Sequence, residues 1–193
     1  MKIAVVGVGL IGGSMMLKLR QRALASYVFG IDKNERHLHQ ALQLNIIDEA
    51  ADLEKGIENA DLIIIAIPVD STRVLLPEIL DKISENQTVM DVGSTKSGIT
   101  EAIKTHKNRN RFVAFHPMWG TENSGPKSAS ADSFSGRAAV ICDKEDSAPD
   151  ALKTVEKIAE YLEMNLLYMT AEDHDIHTCL LYTSDAADEE DSV

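Results

Sequence analysis

Long apolar runs are missing from this 193-residue chain, and with them any helix fit to cross a bilayer, which takes about 20 consecutive apolar residues. Cysteine is scarce as well. Cys142 and Cys179 stand far apart and match neither a zinc nor a redox spacing. A disulfide scaffold is therefore excluded, and a reducing cytoplasm is the expected location. Basic charge is in deficit: 19 Lys and Arg against 31 Asp and Glu leave a net charge of -12. That balance speaks against nucleic acid and against anionic membranes as partners. Five of the negative charges crowd into Asp185, Asp188, Glu189, Glu190 and Asp191, with no base nearby. No internal repeat and no low-complexity tract precedes that stretch.

What the chain does have is alternation. Short apolar runs fall at Ile3–Val6, Val28–Ile31, Leu62–Ile67, Thr88–Val92, Phe112–Phe115, Ala138–Cys142 and Asn165–Tyr168. Amphipathic patterns separate them, among them 11–24, 36–44 and 151–162; in the last, Leu152, Val155, Ile158, Ala159 and Leu162 recur at helical spacing. Strand-length runs alternating with helix-length segments predict an α/β domain with a doubly wound, mostly parallel sheet and helices on both faces.

The first run leads into "GVGLIG", with Gly7, Gly9 and Gly12 in G-x-G-x-x-G spacing. The first glycine allows a tight turn, the second lets a pyrophosphate approach the backbone, and the third lets helix and strand pack closely. The helix that opens at Leu10 and Ile11 would offer free N–H groups to the phosphates. Asp32 closes the second run about 20 residues after Gly12, where a carboxylate can hold ribose hydroxyls. Strand, glycines, helix, strand and acid in that order predict a Rossmann-like dinucleotide site. Asp32 would repel a 2′-phosphate, so NAD is favoured over NADP, a preference that Lys33 and Arg36 soften. The apolar N-terminus with "ALA" at 23–25 also has the outline of a secretory leader. Arg20 and Arg22 sit where a leader is uncharged, and the glycine spacing is better explained by the nucleotide loop.

Ligands of open α/β sheets bind outside the carboxyl ends of the strands. Three further loops fall there. "IPVD" carries Pro68 and Val69 to the cofactor side; "DVGSTKSG" carries Ser94 and Lys96; "HPMWGTE" carries His116, Gly120, Thr121 and Glu122. The run Phe112–Phe115 is expected to end at His116, because Pro117 cannot donate to a ladder. A histidine at a strand end can be a base, a ligand or an ordinary loop residue; beside a dinucleotide site it is expected to face the nicotinamide. Ser94 and Thr95 suit either a helix cap or a substrate contact. Lys96 reads as a solvated surface charge or as a partner for a substrate carboxylate. Trp119 reads as a packing lid, and the Ser-, Ala- and Gly-rich segment 124–135 as a functional loop. His174 and His177 have the i,i+3 spacing of a metal pair, but no further ligand pattern supports them and no metal is expected.

"VGVGLIGGS", "DVGSTKSGI", "HPMWGTENSG" and "DHDIH", in this order, resemble the prephenate dehydrogenase family of tyrosine biosynthesis, which includes arogenate dehydrogenases. The resemblance runs from Met1 to about Thr178. It implies an NAD-dependent oxidative decarboxylation of a small-molecule substrate, prephenate or arogenate. By the same resemblance His116 matches the catalytic histidine that takes the proton of the ring hydroxyl. Ser94 matches the serine that orients that hydroxyl, and Gly120, Thr121 and Glu122 border the substrate. Trp119 departs from the small residue that many members carry.

The family's second, helical domain forms a homodimer and supplies an arginine for the substrate. This chain has no arginine after Arg137 and no histidine after His177. The expected domain organisation is 1–170 for the NAD-binding domain, whose seven runs can close a core, 171–183 for the start of the helical domain, truncated by comparison with the family, and 184–193 for an acidic tail that lacks apolar residues to bury and is expected to be disordered. Such a fragment is expected to be a monomer with little turnover of its own, and Ile176, Leu180 and Leu181 are expected to be partly exposed. Two readings stand beside this one: another NAD-linked hydroxyacid dehydrogenase, and a dinucleotide-binding module without catalysis.

Overall fold

The computed structural model describes the backbone of residues 1–188 and the side chains through Cys179. Eight strands form one sheet: β1 (Lys2–Val6), β2 (Tyr27–Ile31), β3 (Glu49–Ala50), β4 (Leu62–Ile65), β5 (Thr88–Asp91), β6 (Phe112–Pro117), β7 (Ala138–Cys142) and β8 (Asn165–Met169). Their spatial order is β3-β2-β1-β4-β5-β6-β7-β8. All neighbours pair parallel except β6 and β7. The chain thus winds outward from β1 in both directions, and β1 next to β4 is the point where the winding reverses.

The pleat explains the unbroken apolar runs. Ile3 and Val5 of β1, with Leu62 and Ile64 of β4, pack on one face. Ala4 and Val6, with Ile63 and Ile65, pack on the other. A parallel strand covered on both faces has no polar side to show. Helices α1 (Leu10–Gln21), α2 (Glu35–Gln43) and α6 (Pro149–Tyr161) close the first face, through residues such as Met15, Leu19, Ala41, Val155 and Ile158. Helices α3 (Leu53–Asn59), α4 (Val69–Lys82), α5 (Ser97–Ala102) and α7 (Ala171–Asp188) lie on the second, through Ile57, Leu76, Ile79, Ile99 and Ala171. Among the described residues no helix is long and apolar enough to cross a membrane.

Three expectations need correction. Strand β6 does not stop before His116; it runs through His116 and Pro117, which pair with Val140 and Ala139 of β7. The Met118 N–H donates to the Ala138 carbonyl at 2.9 Å. Successive residues of a strand turn their N–H groups to opposite edges, so the Pro117 nitrogen faces away from β7, beyond the end of β5 at Asp91. No ladder bond is lost there, which is where a strand tolerates proline. The two-residue β3 is also new; it is too short for periodicity to mark.

The third concerns the end of α7. Ala171, His174 and Thr178 are buried against the sheet domain, and Ile176 is 52% exposed. The helix continues from Ser184 to Asp188, where a disordered tail was expected; Ala186 and Ala187 are strong helix formers. Residues 189–193, and the side chains of Leu180 and Leu181, lie outside the described residues.

Candidate functional site

Four chain segments meet at the carboxyl edge of the sheet. Gly7 turns the chain out of β1 with φ +95°, and its N–H donates to the Ile31 carbonyl at 2.7 Å. A Cβ on Gly7 would lie 2.3 Å from the Ala66 carbonyl oxygen, and one on Gly12 would lie 2.2 Å from that of Gly7. Both contacts are with backbone, which cannot yield, so these two glycines serve packing. Gly9 differs: a Cβ there would meet no atom within 4 Å. Gly9 is the N-cap of α1, no side chain caps that helix among the described residues, and its first turn holds no acid. The first turn therefore presents its N–H groups and the positive end of the dipole, with Leu10 and Ile11 half-buried beside it, to open space.

Asp32 stands across that space, at the end of β2. Its Oδ2 accepts the Val8 N–H at 3.1 Å and its Oδ1 accepts the Asn34 N–H at 2.8 Å. The carboxylate thus holds the glycine loop in place. It is 14% exposed and keeps lone pairs for a ribose hydroxyl. An open glycine, an uncapped helix and a fixed carboxylate fit a dinucleotide. The exposed Lys33 and Arg36 lie next to it.

The neighbouring loops touch one another. Pro68 is the exposed N-cap of α4, and Val69, its first residue, is half-buried. Val69 Cγ2 would lie 3.0 Å from a Cβ on Gly93, so the loops after β4 and β5 are in contact. Beyond Gly93, Ser94 is exposed. It does not cap α5. That helix begins at Ser97, with Lys96 as a cap that makes no side-chain bond. The caps come from elsewhere in the chain: Asp175 Oδ1 accepts the Lys96 N–H at 2.7 Å and Oδ2 accepts the Ser97 N–H at 2.8 Å.

Lys96 is neither a surface charge nor free to meet a substrate. Its side chain is 0% exposed, and Nζ lies 2.5 Å from Asp91 Oδ2. An ammonium held in the interior by a carboxylate cannot turn outward without stranding that carboxylate. Asp91 Oδ2 also accepts the Gly93 N–H at 2.9 Å, while Oδ1 has no partner among the described residues.

His116, 8% exposed, points its Nδ1 at His174 Nε2 across 2.8 Å, with the rings edge to face. His174 Nδ1 in turn lies 2.8 Å from Asp175 Oδ1. Burial, the Lys96 charge and His174 push the His116 pKa down to about 3, against a smaller upward pull from Asp175. The imidazole is therefore neutral near neutral pH. Burial pushes the Asp175 carboxyl up, but the bonds it receives from His174, Ser97 and Lys96 outweigh this and hold it below the ordinary range. Cys142, paired with Ala114 of β6, is no nucleophile, because burial pushes its thiol up to about 12.

Gly120, Thr121 and Glu122 are exposed, and their loop is tied internally: Thr121 Oγ1 accepts the Asn123 N–H at 3.2 Å. Trp119 packs edge to face on buried Phe134, 5.2 Å between centroids. The rest of the loop lies over the nucleotide half, where the Ser130 N–H donates to Ser14 Oγ at 3.0 Å. His174 and His177 do not form a pair: His174 is turned inward, whereas His177 is exposed and bonds the Asp173 carbonyl.

Nothing in the residue spacing marks Asp91, Asp175 or the inward role of His174 as parts of the site. The one signal for the last two is "DHDIH" itself, a histidine followed by an acid; His174 meets Asp175 and not His177.

A family model described as prephenate dehydrogenase, nucleotide-binding domain, matches residues 15–168. That span holds Asp32, Ser94 and His116 and begins just after the glycine loop. The chain is 31% identical over 176 residues to the prephenate dehydrogenase of Bacillus subtilis (strain 168), covering 90% of this chain and 47% of the relative. It is 25% identical over 174 residues to the cyclohexadienyl dehydrogenase of Zymomonas mobilis, covering 90% of this chain and 59% of that protein. Among solved structures, the prephenate dehydrogenase of Aquifex aeolicus in complex with hydroxyphenyl propionate and NAD+ superposes with a TM-score of 0.83 at 29% identity, over 91% of this chain and 62% of that one. The chain spans about half the length of the curated prephenate dehydrogenases it matches.

Proposed function

The chain belongs to the prephenate dehydrogenase family, whose nucleotide-binding domain it carries, and from this we propose that it serves the NAD-dependent oxidative decarboxylation of prephenate to 4-hydroxyphenylpyruvate and carbon dioxide. The observation that carries the reading is the placement of His116. A neutral, buried imidazole near the carboxyl end of β6 lies at the same sheet edge as the open Gly9 cradle and Asp32. A base for a hydroxyl and a seat for a dinucleotide thus share one edge.

In this reading Gly9 and the first turn of α1 bind the pyrophosphate, and Asp32 accepts hydrogen bonds from the adenosine ribose. Pro68 and Val69 flank the cofactor where β4 ends. NAD, when bound, supplies the hydride acceptor. His116 accepts the proton of the ring hydroxyl as that carbon is oxidised, and Ser94, exposed and uncommitted, orients the hydroxyl. Carbon dioxide then leaves and the ring becomes aromatic. Gly120, Thr121 and Glu122 border the substrate. The remainder of a longer protein, working as a homodimer in the cytoplasm, would hold the substrate carboxylates; Lys96 does not.

The test is formation of NADH from prephenate by the whole protein, with His116→Asn as the variant. Loss of a general base is worth roughly 10²–10⁴ in rate. A fall of that order in kcat with unchanged NAD affinity is expected. Turnover of arogenate in place of prephenate would reassign the substrate. NAD binding without turnover of either would leave a binding module.

A further inference from the structure

We propose that Asp175 and His174 are positioning residues that set the tautomer of His116, keeping the proton on its Nδ1 and leaving Nε2 bare to receive one. This rests on the reading of His116 as the base.

A chain of hydrogen bonds runs inward from the Asp175 carboxylate through His174 to His116. Asp175 can only accept, and it already accepts the N–H groups of Lys96 and Ser97. Its contact with His174 Nδ1 at 2.8 Å therefore requires a proton on that nitrogen. In a neutral imidazole the other nitrogen is then an acceptor. His174 Nε2 faces His116 Nδ1 at 2.8 Å, so the proton between them belongs to His116. Thr178 is near the same nitrogen, at 3.5 Å, but its hydroxyl is committed to the His174 carbonyl at 2.9 Å. His116 Nε2 is left with its lone pair.

The charged groups around His116 come from two elements besides its own strand. From α7 comes the Asp175 carboxylate, acting through His174. From the connection between β5 and α5 comes the Lys96 ammonium, held by Asp91 of β5. When Nε2 takes a proton from the substrate hydroxyl, the new positive charge sits near Lys96, which opposes it. Asp175 offsets that charge through the two imidazoles, and no proton has to leave the relay. The same carboxylate fixes the start of α5 just beyond Ser94, so the base and the serine loop are aligned by one residue 79 positions after Lys96.

The deciding experiment is nitrogen NMR of the histidine side chains in the 193-residue chain near neutral pH. The expected result for His116 is a protonated Nδ1 and a bare Nε2. In Asp175→Asn the amide can offer its NH₂ to His174, which would turn both rings to the opposite tautomer, and His116 Nε2 should gain the proton. A proton on His116 Nε2 in the unmodified chain, whether His174 is neutral or doubly protonated, would overturn the proposal. So would an unchanged His116 tautomer in Asp175→Asn. If that variant does not fold, the unmodified chain decides alone. In the whole protein, Asp175→Asn should lower kcat with prephenate by roughly 10²–10⁴, the scale of a general base put in the wrong tautomer, while KM for NAD stays within about twofold. Normal kcat in His116→Asn would remove the base itself. A defect in His116→Asn with normal kcat in Asp175→Asn would remove the relay alone.

Discussion

Lys96 and Asp91 form an ion pair that water does not reach: Nζ and Oδ2 are 2.5 Å apart and neither side chain has any exposed surface. The pair sits under the loop that carries Ser94, and its lysine opposes a positive charge on His116. A buried pair is rarely a net gain in stability, because desolvating two charges offsets their attraction. Breaking one is costly for the same reason, since the survivor stays buried.

Lys96→Met should therefore destabilise the domain by about 3–5 kcal/mol, read from the midpoint of urea unfolding. Adding Asp91→Leu should recover most of that loss. The single change should also make His116 easier to protonate, because the ammonium that opposes its charge is gone. An NMR titration of His116 in Lys96→Met that follows the unmodified protein would contradict this field argument.

The glycines of the nucleotide loop should separate stability from binding. Gly12→Ala drives a Cβ to 2.2 Å from the Gly7 carbonyl and should lower the Tm. Gly9→Ala meets nothing, and its φ of -73° suits any residue, so the Tm should hold while NAD affinity falls. Calorimetry of both variants, with and without NAD, checks the pair. A Gly9→Ala chain with full NAD affinity would show that the open space is not where the pyrophosphate lies.

Asp32 should have two separable effects. Replacing it with alanine removes the acceptor for ribose hydroxyls and the charge that repels a 2′-phosphate, so NAD should weaken and its advantage over NADP should shrink. The same change leaves the N–H groups of Val8 and Asn34 without their acceptor, at a cost of about 0.5–1.5 kcal/mol for each bond. Asp32→Asn should keep more of the stability than of the selectivity. Tighter binding of NADP than NAD by the unmodified chain would end the assignment.

His116 should also make the domain acid-sensitive. Its pKa falls from 6.5 to about 3 on folding, so between those values the unfolded chain holds a proton that the native chain lacks. Stability then rises with pH across the window. The contribution is complete above pH 6.5 and is lost as pH falls toward 3. From pH 7 to pH 5 the loss from this group is about 2 kcal/mol. His116→Gln, which does not titrate, should show a flatter profile of urea midpoint against pH over that interval. Parallel profiles would mean that folding leaves the His116 pKa where it is in the unfolded chain.

Seven of the eight strands and the nucleotide loop are legible in the sequence alone. Continuous apolar runs such as Leu62–Ile65 follow from a parallel strand covered on both faces, and Gly7, Gly12 and Asp32 announce a turn, a close packing and a carboxylate at fixed offsets from β1. All of this is local, set within one strand–helix–strand unit, and periodicity reports it. Tertiary structure decided the partners. His174 lies 58 residues from His116 and Asp175 lies 79 from Lys96, and only the reversal of β7 against β6, with β8 beside it, brings α7 back to that edge. Burial also decided the meaning of Lys96, which by type belongs in water and by position is sealed on Asp91. A sequence pattern tells which way a side chain faces along its own element. What it then meets depends on which elements the strand order makes neighbours, and here that order set His174 against His116 and sealed Lys96 in the interior on Asp91.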